Sequence, residues 1–370
     1  MTIAIDARLN AYRNGGIPQY TQQLINAWCG DEAFPPLLVL QSRRQRGALT
    51  DSPRAQHATL YTPPHHRAEA FTLPIEIGLR RPSVVLFPDF IAPTVRTFPA
   101  VVTIHDLAFL HFDDLLDDAA RAFYGRIRAS SARADAIIAV SQSTKRDIVQ
   151  FLDIDPARIH VISEAAAAFA RPSSLPDPQR TVNGTLLHTG TFLLFVSTIE
   201  PRKNLPLLLE ALRICRDRHP ERNYQLVAAG ARGWRDAPII AKIAELRLQD
   251  AVTLPGAVAE ADLHWLYTNC RIYANPSRYE GFGLPLLEAL ACGAPALASD
   301  ISSLPEVGGT AAHYLPVDDA GAWADAIEAL WVDDDARVTM AAAGPLHAQR
   351  FSWHATAVQT RALLESVISQ

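Results

Sequence analysis

The stretch SRYEGFGLPLLEALACGAPALASD, residues 277–300, sets two carboxylates eight positions apart, Glu280 and Glu288, and between them a Gly281-Phe282-Gly283 turn running into an apolar helical pattern. Two chemistries suit these residue types. In a dinucleotide fingerprint the glycines admit a pyrophosphate and Asp300 stands where a ribose-binding acid belongs. That pattern needs a third glycine where this chain has Leu286, and Glu280 would set negative charge beside the pyrophosphate. The alternative uses the acids themselves. The flexible turn lets backbone amides approach a ligand, Glu280 meets sugar hydroxyls or a reacting centre, and Glu288 accepts two hydrogen bonds from a ribose diol. Pro285 opens the helix and sets Glu288 in its first turn, where an acid is also favourable simply as a dipole partner.

Cations occur in a complementary place. STIEPRKNLPLLLEAL sets Arg202 and Lys203 directly after a buried strand, with Asn204 as the cap of the following helix. Arginine forks two phosphate oxygens, lysine adds a mobile charge and a helix N-terminus adds partial positive charge, so an anion site is expected rather than two solvated charges. GGIPQY, after the first strand, offers amides at Gly15 and Gly16 with Pro18 suited to a first turn, as an anion contact or a plain helix start. AVVTIHD ends in His105 and Asp106: a hydrogen-bonding histidine with an acid that orients its ring, or a packed histidine beside a turn residue. Asp153-Ile154-Asp155 has the form of a metal-binding Asp-x-Asp, but it precedes Pro156 between a helix and a strand and reads as a turn. No metal site is expected.

These residues need strands to hold them. Short apolar runs alternate with amphipathic helical patterns: TIAIDA, PLLVLQ, SVVLFPD, AVVTIHD, DAIIAVS and RIHVIS first, then TFLLFVST, YQLVAAG, AVTLPG, RIYANPS, APALASD and AAHYLPV. Such alternation predicts two parallel βα sheets in an α/β chain. Between Ala165 and about His188 it fails, and AAAAFARPSSLPDPQRTVNGTLLH reads as a linker. Ligands of open α/β sheets sit beyond the carboxyl ends of strands and favour domain interfaces, which selects Gly15, Gly16, His105, Asp106, Arg202, Lys203, Gly230, Gly256 and the Glu280–Glu288 stretch.

The remaining composition excludes more than it assigns. Residues 1–170 carry 17 Lys and Arg against 17 Asp and Glu, and the remainder 17 against 22, so the net charge of −5 resides in the second part and no nucleic acid partner is indicated. The run Ser42-Arg43-Arg44-Gln45-Arg46 offers at most a weak contact to anionic lipid, against an ordinary solvated loop. Four scattered cysteines, Cys29, Cys215, Cys270 and Cys292, fit a reducing cytosol, and no stretch has the signature of a signal peptide or membrane span. A cytoplasmic protein, at most peripheral at the inner face of the cell membrane, is expected.

Taken together, EGFGLPLLEALACGAPALASD, IEPRKN, DARLNAYRNGGIPQY and TIHD resemble, in order and over essentially the whole chain, the E-x7-E segment, phosphate loop, glycine loop and histidine strand end of the family 4 retaining glycosyltransferases. The resemblance implies a GT-B fold: two Rossmann-like domains facing across a cleft, residues 1–170 on the acceptor side and 171–351 holding the donor, with helix 352–370 crossing back to the first. It implies metal-independent transfer of a hexose from a nucleotide-sugar to a glycan or lipid-linked glycan with retention, and no cofactor. Arg202 and Lys203 would hold the diphosphate, Glu288 the ribose, and Glu280 the sugar with the amides of Gly281, Phe282, Gly283 and Leu284. Gly16 beside Gly15 would approach the phosphate, His105 with Asp106 the sugar, and Gly230 with the Leu254–Val258 turn the base. The departing diphosphate gains charge as the sugar becomes oxocarbenium-like, so preorganised cations act on what changes most. Where relatives carry Pro-Asn-Gly-Val after the interdomain strand, this chain reads VISEAAAAFARP, which sets that loop, and Glu164 in it, apart.

Mannose from GDP-mannose is preferred over a UDP-linked sugar such as UDP-glucose. A phosphorylase of the same architecture needs a pyridoxal-phosphate lysine, and the second half offers only Lys203 and Lys242. A sugar-nucleotide-binding scaffold would not need Glu280, Glu288, Arg202 and Lys203 together. Replacing Arg202 or Lys203 is expected to lower turnover strongly with modest loss of stability.

Overall fold

The computed structural model describes residues 1–13, 15–66, 68–112, 121, 123–173 and 177–370. Among them the chain forms two compact units, Met1–Glu164 with Phe351–Gln370, and Ala165–Arg350. The division thus falls after Glu164 rather than at 170. Asn14 of the glycine loop and residues 174–176 of the expected linker lie outside the described residues.

The first unit is built on a parallel sheet of β1 (Ile3–Asp6), β2 (Leu37–Ser42), β3 (Ala55–Leu60), β4 (Val84–Phe87), β5 (Ala100–Ile104), β6 (Ala136–Ala139) and β7 (Ile159–Val161), in the order β3-β2-β1-β4-β5-β6-β7. Helices cover both faces, so the central strands are continuous apolar runs: every residue of VVLF in β4 and AVVTI in β5 is buried. β3 escaped the sequence reading because it is an edge strand. Its AQHATL buries only Ala58 and Leu60, leaving no apolar run to find.

The second unit repeats the plan with β10 (Phe192–Val196), β11 (Gln225–Ala229), β12 (Val252–Gly256), β13 (Ile272–Asn275), β14 (Ala296–Ser299) and β15 (Ala312–Leu315), in the order β12-β11-β10-β13-β14-β15. Both sheets therefore reverse their strand order once, between β1 and β4 and between β10 and β13, and each reversal opens a crevice at the carboxyl ends. The expected linker is instead partly structured. β8 (Gln179–Val182) and β9 (Thr185–His188) pair antiparallel around Asn183 and Gly184, both at positive φ, the geometry of a tight hairpin turn. Val182 and Leu187 enter the second unit's core, and the Asn183 amide donates to the carbonyls of Pro255 and Ala257 at 2.8 and 3.0 Å.

The last helix, Trp353–Ile368, packs in the first unit, where Ala357, Leu363, Leu364 and Val367 join Tyr20, Leu24, Trp28 and Val84 in one apolar cluster. The Thr356 hydroxyl donates to the Ser163 carbonyl at 2.7 Å, and the Arg361 guanidinium lies over the Phe34 ring. Truncating Leu364 to alanine removes a fully buried side chain from that cluster and is expected to lower stability by about 2–4 kcal/mol, read from urea unfolding; an unchanged midpoint would mean that the helix is not part of the first unit's core.

Candidate functional site

At the reversal of the second sheet, the segments leaving β10 and β13 meet. Pro201–Lys203 forms one 3-10 turn after β10, and the Arg278 N–H donates to the Arg202 carbonyl at 2.8 Å, tying the two loops together. Lys203 Nζ then donates to both oxygens of Glu280 at 2.7 Å, with both residues buried. Arg202 Nη1 stands 3.8 Å from the same carboxylate, while its Nε donates to Glu200 at 2.5 Å; Trp234 Nε1 in turn donates to Glu200. Burial alone would raise the Glu280 carboxyl, but Lys203 and then Arg202, helped by their hydrogen bonds and by the Ser277 hydroxyl at 2.8 Å, hold it below the usual carboxylate range. Lys203 moves the other way relative to its charge. Burial pulls it below the ordinary lysine range, Arg202 adds to this, and Glu280 only partly opposes it. Burial penalises both charges, but Glu280 has two cations beside it while Lys203 has Arg202 as a repelling neighbour. Glu280 is thus within 4 Å of both cations, and Arg202 is the more exposed of the two.

The turn that follows is pinned by hydroxyls. The Glu280 N–H donates to Ser302 Oγ at 3.0 Å, and Ser303 Oγ donates to the carbonyls of Glu280 and Phe282 at 2.9 and 2.8 Å. Gly283 adopts φ 100° just before the helix Leu284–Ala291, a conformation that favours glycine, and a Cβ there would press on Leu304. Phe282 is buried in this arrangement. Because that helix starts at Leu284, Glu288 lies in its second turn, not its first, so the dipole explanation of the acid does not apply. Its half-buried carboxylate accepts from the Tyr267 hydroxyl at 3.1 Å, and burial pushes it up to about 7, against the hydrogen bonds from Tyr267 and the Ala167 backbone. Asn204 sits at the cap position but in a left-handed conformation with no side-chain cap bond; its amide instead donates to the carbonyls of Pro276 and Val317, fastening the phosphate-loop candidate to the ends of β13 and β15. Asp300 is exposed at the end of β14.

Gly230 follows β11 with φ 147°, and a Cβ there would collide with the Ser197 carbonyl, so glycine is required by a close backbone approach at the end of β10. Leu254 lies inside β12 and is exposed, which corrects the expected Leu254–Val258 turn to the residues after Gly256; Val258 packs partly on the core.

In the first unit, Gly15 precedes the helix Gly16–Cys29 at φ 133°, and among the described residues nothing outside the local chain comes within 4 Å of where a side chain at Gly15 or Gly16 would begin. His105 follows β5 with both ring nitrogens engaged: Nδ1 lies 2.8 Å from Glu164 Oε1 and Nε2 lies 2.9 Å from the Pro88 carbonyl, with Tyr20 edge-on at 4.8 Å. A carbonyl and a carboxylate both demand donors, so the ring is an imidazolium paired with Glu164. Burial lowers its pKa, but the Glu164 bond and charge, then the Pro88 carbonyl and Asp89, outweigh burial and raise it. Asp106 does not orient this ring; its Oδ1 accepts the Ala108 N–H at 3.1 Å as a turn residue, and Glu164 does the orienting. The Asp153-x-Asp155 pair is likewise spent on the turn: Asp153 is left-handed after its helix and Asp155 accepts the Ala157 N–H.

Sequence reasoning missed a further buried cluster at the carboxyl ends of β1 and β4. Arg8 donates to Asp6, to Glu69 at 2.8 Å and to the Thr62 carbonyl, beside a small cavity also lined by Thr21, His65 and Asp89. The signal was available in Asp6 and Arg8, two residues apart at the end of the first strand, but Glu69 is supplied from a distant helix and carries no local pattern.

Comparison with known proteins bears on the family and the fold. Residues 182–347 match the family model described as glycosyl transferases group 1, and residues 14–165 match that of Glycosyltransferase Family 4. O-antigen chain mannosyltransferase B of Escherichia coli is 31% identical over 274 residues, covering 74% of this chain and 71% of that protein. Among solved structures, the sucrose-phosphate synthase of Thermosynechococcus elongatus superposes with TM-score 0.78 at 19% identity over 100% of this chain and 99% of that one. The Anabaena HepE protein in complex with UDP and glucose superposes with TM-score 0.75 at 17% identity over 99% and 100%.

Two outcomes are expected. Because Lys203 and Glu280 are buried against each other, Lys203→Ala or Glu280→Gln alone should cost about 3–5 kcal/mol, not the modest loss anticipated from sequence, whereas Lys203→Met with Glu280→Leu should recover much of it; denaturant unfolding of the three variants checks this. Glu164→Gln keeps a donor facing Nδ1 while Pro88 still accepts from Nε2, so it should leave His105 in place but neutral. The raised His105 pKa stabilises the fold fully below the ordinary histidine value of about 6.5 and ceases to do so as pH rises through the higher folded value. Ring ¹⁵N spectra should therefore show His105 protonated above the ordinary range in the wild type and titrating lower in Glu164→Gln; identical titrations would sink the pairing.

Proposed function

The chain belongs to the group 1, family 4 glycosyltransferases with the GT-B fold, and from that premise we propose that it is a retaining hexosyltransferase taking mannose from GDP-mannose to a glycan or lipid-linked glycan acceptor. The observation that carries the reading is the Arg202–Lys203–Glu280 centre at the strand-order reversal of the second sheet. In it the donor diphosphate competes with Glu280 for the two cations, and Glu280, released from full pairing, turns its oxygens to the sugar hydroxyls. Glu288, beside Tyr267, takes the ribose diol.

The reaction needs no protein nucleophile in this reading. The bond from the anomeric carbon to the diphosphate oxygen breaks, the bond to the acceptor oxygen forms on the same face, and the acceptor proton passes to the departing phosphate. Arg202 and Lys203 stabilise the charge that grows on the diphosphate, so no metal ion is assigned a part. Mannose is favoured by the Escherichia coli mannosyltransferase among the relatives. A UDP-linked glucose donor is the second reading, favoured by the UDP and glucose bound to the Anabaena neighbour.

Thermal-shift titration with GDP-mannose and UDP-glucose separates the two donors, since a ligand at a hundred times its Kd stabilises by about 2.7 kcal/mol. GDP-mannose is expected to give the larger shift, and a shift with UDP-glucose alone would reverse the donor assignment. Arg202→Ala, which leaves the buried Lys203–Glu280 pair intact, is expected to lower kcat by about 10²–10³; an unchanged kcat would remove Arg202 from the reaction. Donor binding that uses the Glu288 carboxylate should strengthen as pH rises through about 7, and Glu288→Gln should abolish that slope.

A further inference from the structure

Beyond their ends, β10 and β11 go on running side by side. The Ser197 N–H donates to the Ala229 carbonyl at 3.0 Å, the Ile199 N–H to the Ala231 carbonyl at 2.9 Å and the Gly233 N–H to the Ile199 carbonyl at 3.1 Å, with Ile199 and Arg232 paired in parallel. Glycine permits this approach twice. Gly230 passes against the Ser197 carbonyl, and a side chain at Gly233 would begin 2.7 Å from Thr198 Cγ2 and 2.9 Å from the Ile199 carbonyl. The next residue, Trp234, belongs to none of the four motifs that resemble the family pattern. The paired loops deliver its indole N–H to Glu200 Oε2 at 3.1 Å, while the residue stays 39% exposed.

Glu200 stands between Trp234 and Arg202. Its buried carboxylate accepts the indole N–H on one oxygen and Arg202 Nε, at 2.5 Å, on the other. A glutamate held through one oxygen still turns about its terminal torsion, whose energy profile is broad. A bond to the second oxygen fixes the carboxylate plane, and with it the direction from which Arg202 is held. The guanidinium then lies with Nη1 3.5 Å from the Tyr279 carbonyl and 3.8 Å from Glu280. The loop has contacts of its own: the Arg235 guanidinium lies over the Trp234 ring at 5.7 Å, and Arg232 pairs with Asp236. Neither contact calls for an indole nitrogen, and a ligand lying on the ring face would not call for one either. The N–H is spent on the one carboxylate that orients Arg202.

We propose that Trp234 is a positioning residue for the transfer reaction, acting through Glu200 to hold the Arg202 guanidinium in the orientation that meets the donor diphosphate. This role rests on Arg202 acting on the diphosphate, as proposed above. A guanidinium is a planar fork, so its effect on phosphate oxygens depends on orientation as well as charge. A misplacement of about 1 Å costs on the order of a hundredfold in rate. Trp234 itself touches no reacting atom in this role. Without its N–H the charge of Arg202 remains beside the site and only its alignment with the developing negative charge is lost, so turnover falls more than donor binding.

Donor hydrolysis by the full chain, measured with GDP-mannose and with UDP-glucose, tests this on Trp234→Phe, Arg202→Ala and the double variant. Trp234→Phe keeps an aromatic ring and loses only the N–H. It is expected to lower kcat by about ten- to a hundredfold, with KM nearly unchanged and the urea midpoint confirming the fold. In the Arg202→Ala background the same replacement should change kcat by less than about twofold, because residues acting as one unit do not add. An Arg202→Ala enzyme as fast as the wild type removes Arg202 from the reaction and leaves Trp234 nothing to position. A slow Arg202→Ala enzyme beside an unimpaired Trp234→Phe enzyme overturns the role of Trp234 alone. So does an equal loss in both backgrounds, or a raised KM at unchanged kcat, either of which makes the indole a contact in its own right. A readout independent of turnover is the Arg202 Nε–H resonance in ¹⁵N spectra, assigned by its disappearance in Arg202→Ala. It should shift in Trp234→Phe, and a resonance that stays in place overturns the positioning whatever the hydrolysis rate.

Discussion

A lysine and a glutamate buried 2.7 Å apart, where a parallel sheet reverses its strand order, govern the second unit. Removing two charges from water costs more than their attraction commonly returns, and a pair of apolar residues would usually serve stability as well or better. Around the pair, the structure meets every demand that such a cost creates. Ser277 satisfies the carboxylate, Asn204 fastens the lysine-bearing loop to the ends of two strands, and Ser302 with Ser303 fixes the backbone on the glutamate side. Arg202 is aimed by Glu200, which Trp234 holds in place. A pair of apolar residues would hold the fold as well, and the proposed exchange of partners with a donor diphosphate is the use such a contact would serve.

The first unit meets the same topological gap with different chemistry. At its reversal Arg8 is enclosed by Asp6 and Glu69, a closed cluster in which the cation is sequestered. The charge presented beyond β5 is an imidazolium, and its character depends on Glu164, the last residue of the first stretch of that unit. Relatives were expected to carry a Pro-Asn-Gly-Val turn here. The Glu164 carboxylate found there instead bonds the histidine through Oε1, so the departure from the family pattern is tied to the state of a residue in that pattern.

What could be read from the sequence follows from what is local. Central strands such as VVLF and FLLFV declare themselves because both faces are buried, whereas AQHATL at the sheet edge buries two residues and leaves no signal. The Asn183-Gly184 dipeptide is a strong hairpin sign, yet the Pro and Ser around it made the whole stretch look unstructured. Arg202, Lys203 and Glu280 were found because strand ends and glycine turns are visible in sequence; that Lys203 and Glu280 touch was not, since 77 positions separate them. Glu288 reads as a first-turn residue if Pro285 opens the helix, whereas the helix starts one residue earlier, at Leu284, and the role of Glu164 needs a partner 59 positions away. Pairings over such distances are products of topology, and no periodicity records them.

The return of the final helix to the first unit also fixes an order of events during synthesis. Residues 351–370 leave the ribosome after all of Ala165–Arg350, so the second unit has its whole sequence available while the first still lacks the helix that covers Tyr20, Leu24 and Trp28. Domains generally fold as units, the earlier one first, as the chain emerges at about 5–20 residues per second. Here the sequence is inverted at the last step, and the apolar face beside β1 and β4 stays open for the roughly ten seconds or more that the second unit takes to be made at that rate. A nascent chain of this kind exposes a binding surface for a chaperone at a predictable place and for a predictable interval, and the earlier unit reaches its finished form last.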